Sequence, residues 1–206
     1  MIMLIIYYML ISLTIMHSYL THHNALANMV LSYSTPNAYE LHFKEYIPFV
    51  IVGHSFLYLR FHDAYLIRFS KKKLLQKITL HECLHVLCFL SMFYITTNLC
   101  VMIRYGRLVI WPSLMEGCYL IPVYLLFMML LDIIILITHQ HLLSVAITCV
   151  LSMLLTFPMM SFMGIMIFES KTIPYLLLMQ KDCLFIALLI FLSIIRQKCL
   201  QGRDVI

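Results

Sequence analysis

The sequence predicts an all-α, polytopic membrane protein with about six transmembrane helices, its N-terminus and C-terminus both cytoplasmic. Composition is the first reason. Hydrophobic residues make up 63% of the 206 and charged residues only 11%, against roughly 25% charged in soluble domains. A soluble domain of this length has no interior able to hide that much apolar surface. The second reason is pattern: the apolar residues form long continuous runs without dyad alternation, which indicates helices rather than barrel strands. The third is punctuation, because short polar or basic stretches separate the runs.

The first span is expected over residues 2–19. It resembles a signal peptide, with Ala25-Leu26-Ala27 as a small-x-small site, but it lacks the basic n-region of such a signal. Residues 20–45 are polar and read as a loop with room for one short interfacial helix. The second span, 46–59, has Pro48 near its start and is short, so it tilts less, borrows flanking residues or thins the bilayer. Residues 60–77 form the most basic stretch of the chain, with six of the 14 Lys+Arg. Leu66, Ile67, Phe69, Leu74 and Leu75 are interleaved there with the charges. That pattern fits a surface helix with snorkelling lysines.

The third span is expected over 78–103. The loop after it, 104–117, holds Trp111 as an interface anchor. The fourth span, 118–138, starts near Pro122 and contains Asp132. His139-Gln140-His141 forms a tight turn. The fifth span is 142–168, with kinks expected at Pro158 and Gly164. Tyr175–Met179 is apolar but too short to cross, and reads as a segment dipping into the outer leaflet. The sixth span is 182–195, and Arg196, Lys198 and Arg203 close the chain. The chain reads as one domain.

Charge sets the orientation. With the N-terminus inside, residues 60–77, 139–141 and 196–206 are cytoplasmic and carry nine Lys+Arg, against five outside. The sign obeys the positive-inside rule, which makes the protein a multi-pass component of the cell membrane. The net charge of +5 is explained by topology and anionic lipid, so nucleic acid is not an expected partner. The seven cysteines contain no CxxC pair, and Cys83, Cys88, Cys100 and Cys149 lie inside apolar runs. They read as small packing residues.

The layout resembles the six-span permease subunits of bacterial two-chain ABC exporters, and more narrowly those of bacteriocin-immunity or antimicrobial-peptide export. The residues that carry the resemblance are Tyr65-Leu-Ile-Arg-Phe-Ser-Lys-Lys-Lys-Leu-Leu-Gln-Lys77, an apolar-Ile-Arg stretch followed by a lysine cluster between the second and third spans. In such permeases this stretch leads into the coupling helix on which a cytoplasmic ATPase docks. The short apolar stretch Pro174–Met179 also matches a re-entrant helix of that family. The resemblance implies docking through Arg60, Arg68, Lys71, Lys72, Lys73 and Lys77, and a second permease chain in the complex. It implies a peptide or amphiphile substrate, no cofactor in this chain, and ATP with Mg on the partner subunit. The five glycines are not clustered, so there is no phosphate-binding loop here and no ATP hydrolysis by this chain is expected.

A second constellation is His81-Glu82-Cys83-Leu84-His85. It matches H-E-x-x-H, which on a helix sets two imidazoles on one face for zinc, with Glu82 as general base. It resembles the motif of intramembrane metalloproteases of the site-2 type. Those supply a third ligand as Asp followed by Gly on a later span. Here Asp132 is followed by Ile133, and His139 and His141 are the other candidates. A His81–Cys88 pair at the spacing of membrane cysteine peptidases lacks the small residues that surround such pairs. Asp132 is a pathway candidate under any reading, because a carboxylate within a span faces protein or a polar route. The sixteen Met and thirteen each of Phe and Tyr suit an adaptable groove or ordinary packing. A third reading is a membrane partner that anchors or senses without transporting.

Overall fold

The computed structural model describes residues 2–22, 41–55, 70–106, 120–169 and 174–201. Among them the regular structure is all helical. We number the helices α1 (Ile2–His22), α2 (a π-helical turn Leu41–Tyr46 continuing as α-helix over 47–55), α3 (Lys71–Tyr105), α4 (Ile121–Thr138), α5 (His141–Glu169) and α6 (Pro174–Gln201). Among the described residues, three helical stretches are long and apolar enough to cross a membrane: Lys72–Ile103, Ile121–Thr138 and Cys183–Leu200. Met3–His17 and His141–Leu155, parts of α1 and α5, are apolar as well.

Local chemistry sets the ends. Gly106 follows α3 in the left-handed region at φ 64°, where its N–H donates to Met102 O. Without a Cβ, glycine takes that conformation at little cost. Pro122 stands in the first turn of α4, where its missing N–H forfeits no helical bond. His139 ends α4 at φ 56°, its N–H donating to Ile135 O. The hairpin into α5 is then tied by Thr138 and Ser144, whose hydroxyls lie 2.8 Å apart, and by Ser144 donating to Gln140 O at 2.7 Å.

Side-chain pairs give the relative directions. His42 meets Phe93 while His54, at the other end of α2, meets His81 and His85, so α2 and α3 are antiparallel. His42 also pairs with Tyr124 and Phe43 with Phe127, whereas His54 lies near Asp132, so α4 runs parallel to α2. Arg196 reaches Asp132, and Leu200 packs with Leu136, so α6 runs parallel to α4. A small cluster of Leu74, Leu136 and Leu200 gathers the start of α3 and the ends of α4 and α6 at one end of the bundle.

The bundle exposes apolar side chains and buries a set of polar and charged ones within its apolar core. Leu84, Ile103, Leu142, Leu154 and Phe191 are exposed, while Glu82, His85, Asp132, Ser144, Thr148 and Arg196 are buried. In lipid that arrangement is favourable, because tails solvate the outer face and polar groups find partners only inside.

Three sequence expectations change. Residues 71–77 are the opening turns of α3, continuous with the span, rather than a separate surface helix; residues 60–69 lie outside the described residues. Pro174–Met179 forms the beginning of α6 instead of a separate re-entrant helix. Arg196, expected in the cytoplasm beyond the last span, is inside the bundle, because α6 continues to Gln201. The described part of the second span is 46–55, and Trp111 lies outside the described residues.

Candidate functional site

Four helices send charged or titratable side chains to one point. Arg196 of α6 is 2% exposed, and Glu82 of α3 and Asp132 of α4 are each 1% exposed. Arg196 Nη1 donates to both Glu82 oxygens at 2.8 Å and to Asp132 Oδ2 at 3.0 Å. Its Nη2 donates to Thr79 Oγ1 at 2.6 Å, one turn before Glu82 on α3. The guanidinium fork thus joins α3, α4 and α6. Its flat array of donors matches such a set of acceptors in a way a lysine ammonium does not.

Register explains the convergence. Thr79 and Glu82 are three apart on α3 and share a face, as do His81 and His85 at a spacing of four. The two faces adjoin, so the charged group and the imidazoles are neighbours. His54 of α2 belongs to both. Its ring nitrogens and those of His81 and His85 offer ligand atoms within 4.8 Å of one another, and so do His54, Glu82 and Asp132. The ring centroids of His54 and His85 are 5.1 Å apart, and those of His54 and His81 are 6.0 Å apart. His54 and His85 are buried and His81 is half-buried.

Helix α1 closes one side. The Tyr8 hydroxyl hydrogen-bonds His85 Nε2, and its ring packs edge-on against Phe89. Tyr7 donates to Phe49 O at 3.0 Å. The approach of α1 to α2 is possible because Gly53 lacks a Cβ, which would stand 2.9 Å from Tyr7 and 3.0 Å from the Tyr8 hydroxyl. Small residues at such contacts let helices pack closely in a membrane.

Formally, Glu82, Asp132 and Arg196 sum to one negative charge. A buried excess charge is costly, and a cation or a proton nearby offsets it. His54 is the imidazole that stands with the two carboxylates.

Of the residues singled out from sequence, His81, His85, Glu82 and Asp132 meet here. Glu82, however, is engaged by Arg196, which is unlike a carboxylate poised to activate a metal-bound water. The third imidazole comes from His54, not from His139 or His141. Cys88 is half-buried on α3 and joins neither group. Lys72, Lys73 and Lys77 are exposed on the opening turns of α3, where Lys71 begins the helix. Arg60 and Arg68 lie outside the described residues. His54 and Arg196 were missed. His54 carried one weak signal, an imidazole set between Gly53 and Ser55 in an apolar stretch. Comparisons with protein-family models, curated proteins and solved structures found no match to this chain.

Proposed function

We propose that the chain is the six-span, multi-pass permease subunit of a two-chain ABC exporter, with both termini in the cytoplasm. It moves a peptide or lipid-like amphiphile, and it is driven by a separate cytoplasmic ATPase that supplies ATP and Mg. The observation that carries the reading is the continuity of α3. One helix of 35 residues holds the exposed Lys72, Lys73 and Lys77 in its opening turns and Glu82 farther in, bound to Arg196. At 1.5 Å per residue α3 is about 52 Å long, well beyond the ~30 Å hydrocarbon core. Its basic start can stand clear of the membrane. A push on those turns reaches α4 and α6 directly through Arg196.

The antiparallel order of α2, α3 and α4 also supports this topology. It sets the start of α3, the His139–His141 turn and the end of α6 at the same end of the bundle. With Arg196 removed from the cytoplasmic count, eight Lys+Arg remain on that side against five, so the positive-inside bias persists. Two such chains are expected per complex, so that two ATPases can close on one another. The protease reading is less well supported, since Glu82 is held in an ion pair.

The test is purification of the chain from its native membrane in mild detergent. An ATPase subunit is expected to accompany it, and to be lost when Arg68, Lys71, Lys72 and Lys73 are changed together to Ala. No accompanying ATPase, or one retained in full by that variant, overturns the reading.

A further inference from the structure

We propose that His54, His81 and His85 form a binding site for a divalent transition-metal cation, zinc being the best chemical match, that staples α2 to α3. This is separate from the exporter reading, because metal uptake is measured on the purified chain with or without an ATPase.

The argument begins with donor type. Three imidazoles and no thiolate suit zinc, copper or nickel, whereas magnesium and calcium favour oxygen. Spacing comes next. His81 and His85 are four apart on a straight stretch of α3, which lines up their rings on one face. Their centroids are 6.2 Å apart. His54 brings the third nitrogen from another helix, and the three ligand atoms lie within 4.8 Å of one another. Around a tetrahedral zinc with Zn–N of about 2.0 Å, nitrogens stand roughly 3.3 Å apart. Closing the difference takes a small rotation of each ring.

The surroundings are those of a metal site. Glu82 and Asp132 bring carboxylates near His54. Carboxylates next to ligating histidines commonly orient the ring and raise its basicity. The Tyr8 hydroxyl fixes the His85 ring from the α1 side. His81 is only half-buried, so the cluster is partly exposed on that side. Because Arg196 holds Glu82, the site binds a metal without the general base that hydrolysis needs.

The experiment strips the detergent-purified full chain with chelator, then titrates it with zinc and measures bound metal and the melting temperature. One zinc per chain, with a rise in melting temperature and no uptake of magnesium, is the expected result. His54→Ala lowers zinc affinity about a hundredfold, at or above the effect of losing a supporting partner, and removes the thermal shift. His54→Cys restores binding, because thiolate is itself a zinc ligand. His139→Ala leaves it unchanged. Should His54→Ala fail to fold, His81→Gln, with its half-buried side chain, carries the same expectation. Failure of the wild-type chain to take up zinc, or equal affinity in the wild type and the folded histidine variant, overturns the proposal.

Discussion

The two ends of the α2–α3–α4 bundle are built on different physics. At one end His42, Tyr46, Phe89, Phe93, Tyr124 and Phe127 pack ring on ring, with centroids near 5–6 Å. A polar contact there joins His42 Nδ1 and the Tyr124 hydroxyl, at 2.7 Å. At the other end the same helices, joined by α6, meet through Arg196, Glu82, Asp132 and the three histidines. Aromatic packing tolerates small slides and repacking. A charge group permits one arrangement, since a misplaced carboxylate in lipid has no water to turn to. The bundle is therefore best defined at the end where the basic turns of α3 enter it.

Removing the cation should have the largest effect. Arg196→Ala leaves Glu82 and Asp132 buried without it, at a cost of about 3–5 kcal/mol, seen as a large fall in melting temperature in detergent. Replacing all three by apolar residues of similar volume should recover most of that loss. If Arg196→Ala melts like the wild type, the ion group does not define that end of the bundle.

The aromatic end should respond somewhat less. Phe93→Ala is expected to cost about 3 kcal/mol, the lower part of the range for a buried phenylalanine, because packing rather than water exclusion holds helices together in lipid. Thermal or denaturant unfolding in detergent measures it, and a loss above that of Arg196→Ala would reverse the contrast between the ends.

Gly53→Ala comes third. Its new Cβ displaces Tyr7 and Tyr8 and separates α1 from α2, costing about 1–3 kcal/mol. Cross-linking between cysteines introduced on α1 and α2 should weaken, and unchanged cross-linking would mean that the tyrosines shift at no cost. The smallest effect is expected for Tyr124→Phe, which removes one neutral hydrogen bond to His42 and costs about 1 kcal/mol. A shift in melting temperature as large as that of Phe93→Ala would show a wider polar network at the aromatic end.

Much of this was legible in the sequence. The cores of α3, α4 and α5 follow from continuous apolar runs. The hairpin at His139–His141 follows from three polar residues between two such runs. Asp132 stood out as a carboxylate in lipid, and the shared face of His81 and His85 follows from a spacing of four. These are local properties, set by each helix's own period and by transfer from water to lipid.

Tertiary structure alone decided the partners. Arg196 ends an apolar run, and an arginine there is ordinarily a cytoplasmic anchor. Only the docking of α6 beside α4 turns it inward to Glu82 and Asp132. His54 stands on a short stretch with nothing in its neighbourhood to name its purpose. Only the antiparallel packing of α2 on α3 sets it against His81 and His85. Periodicity reports which side of a helix is apolar. It carries no record of which other helix covers that side, because that is fixed by contacts between residues distant in the chain.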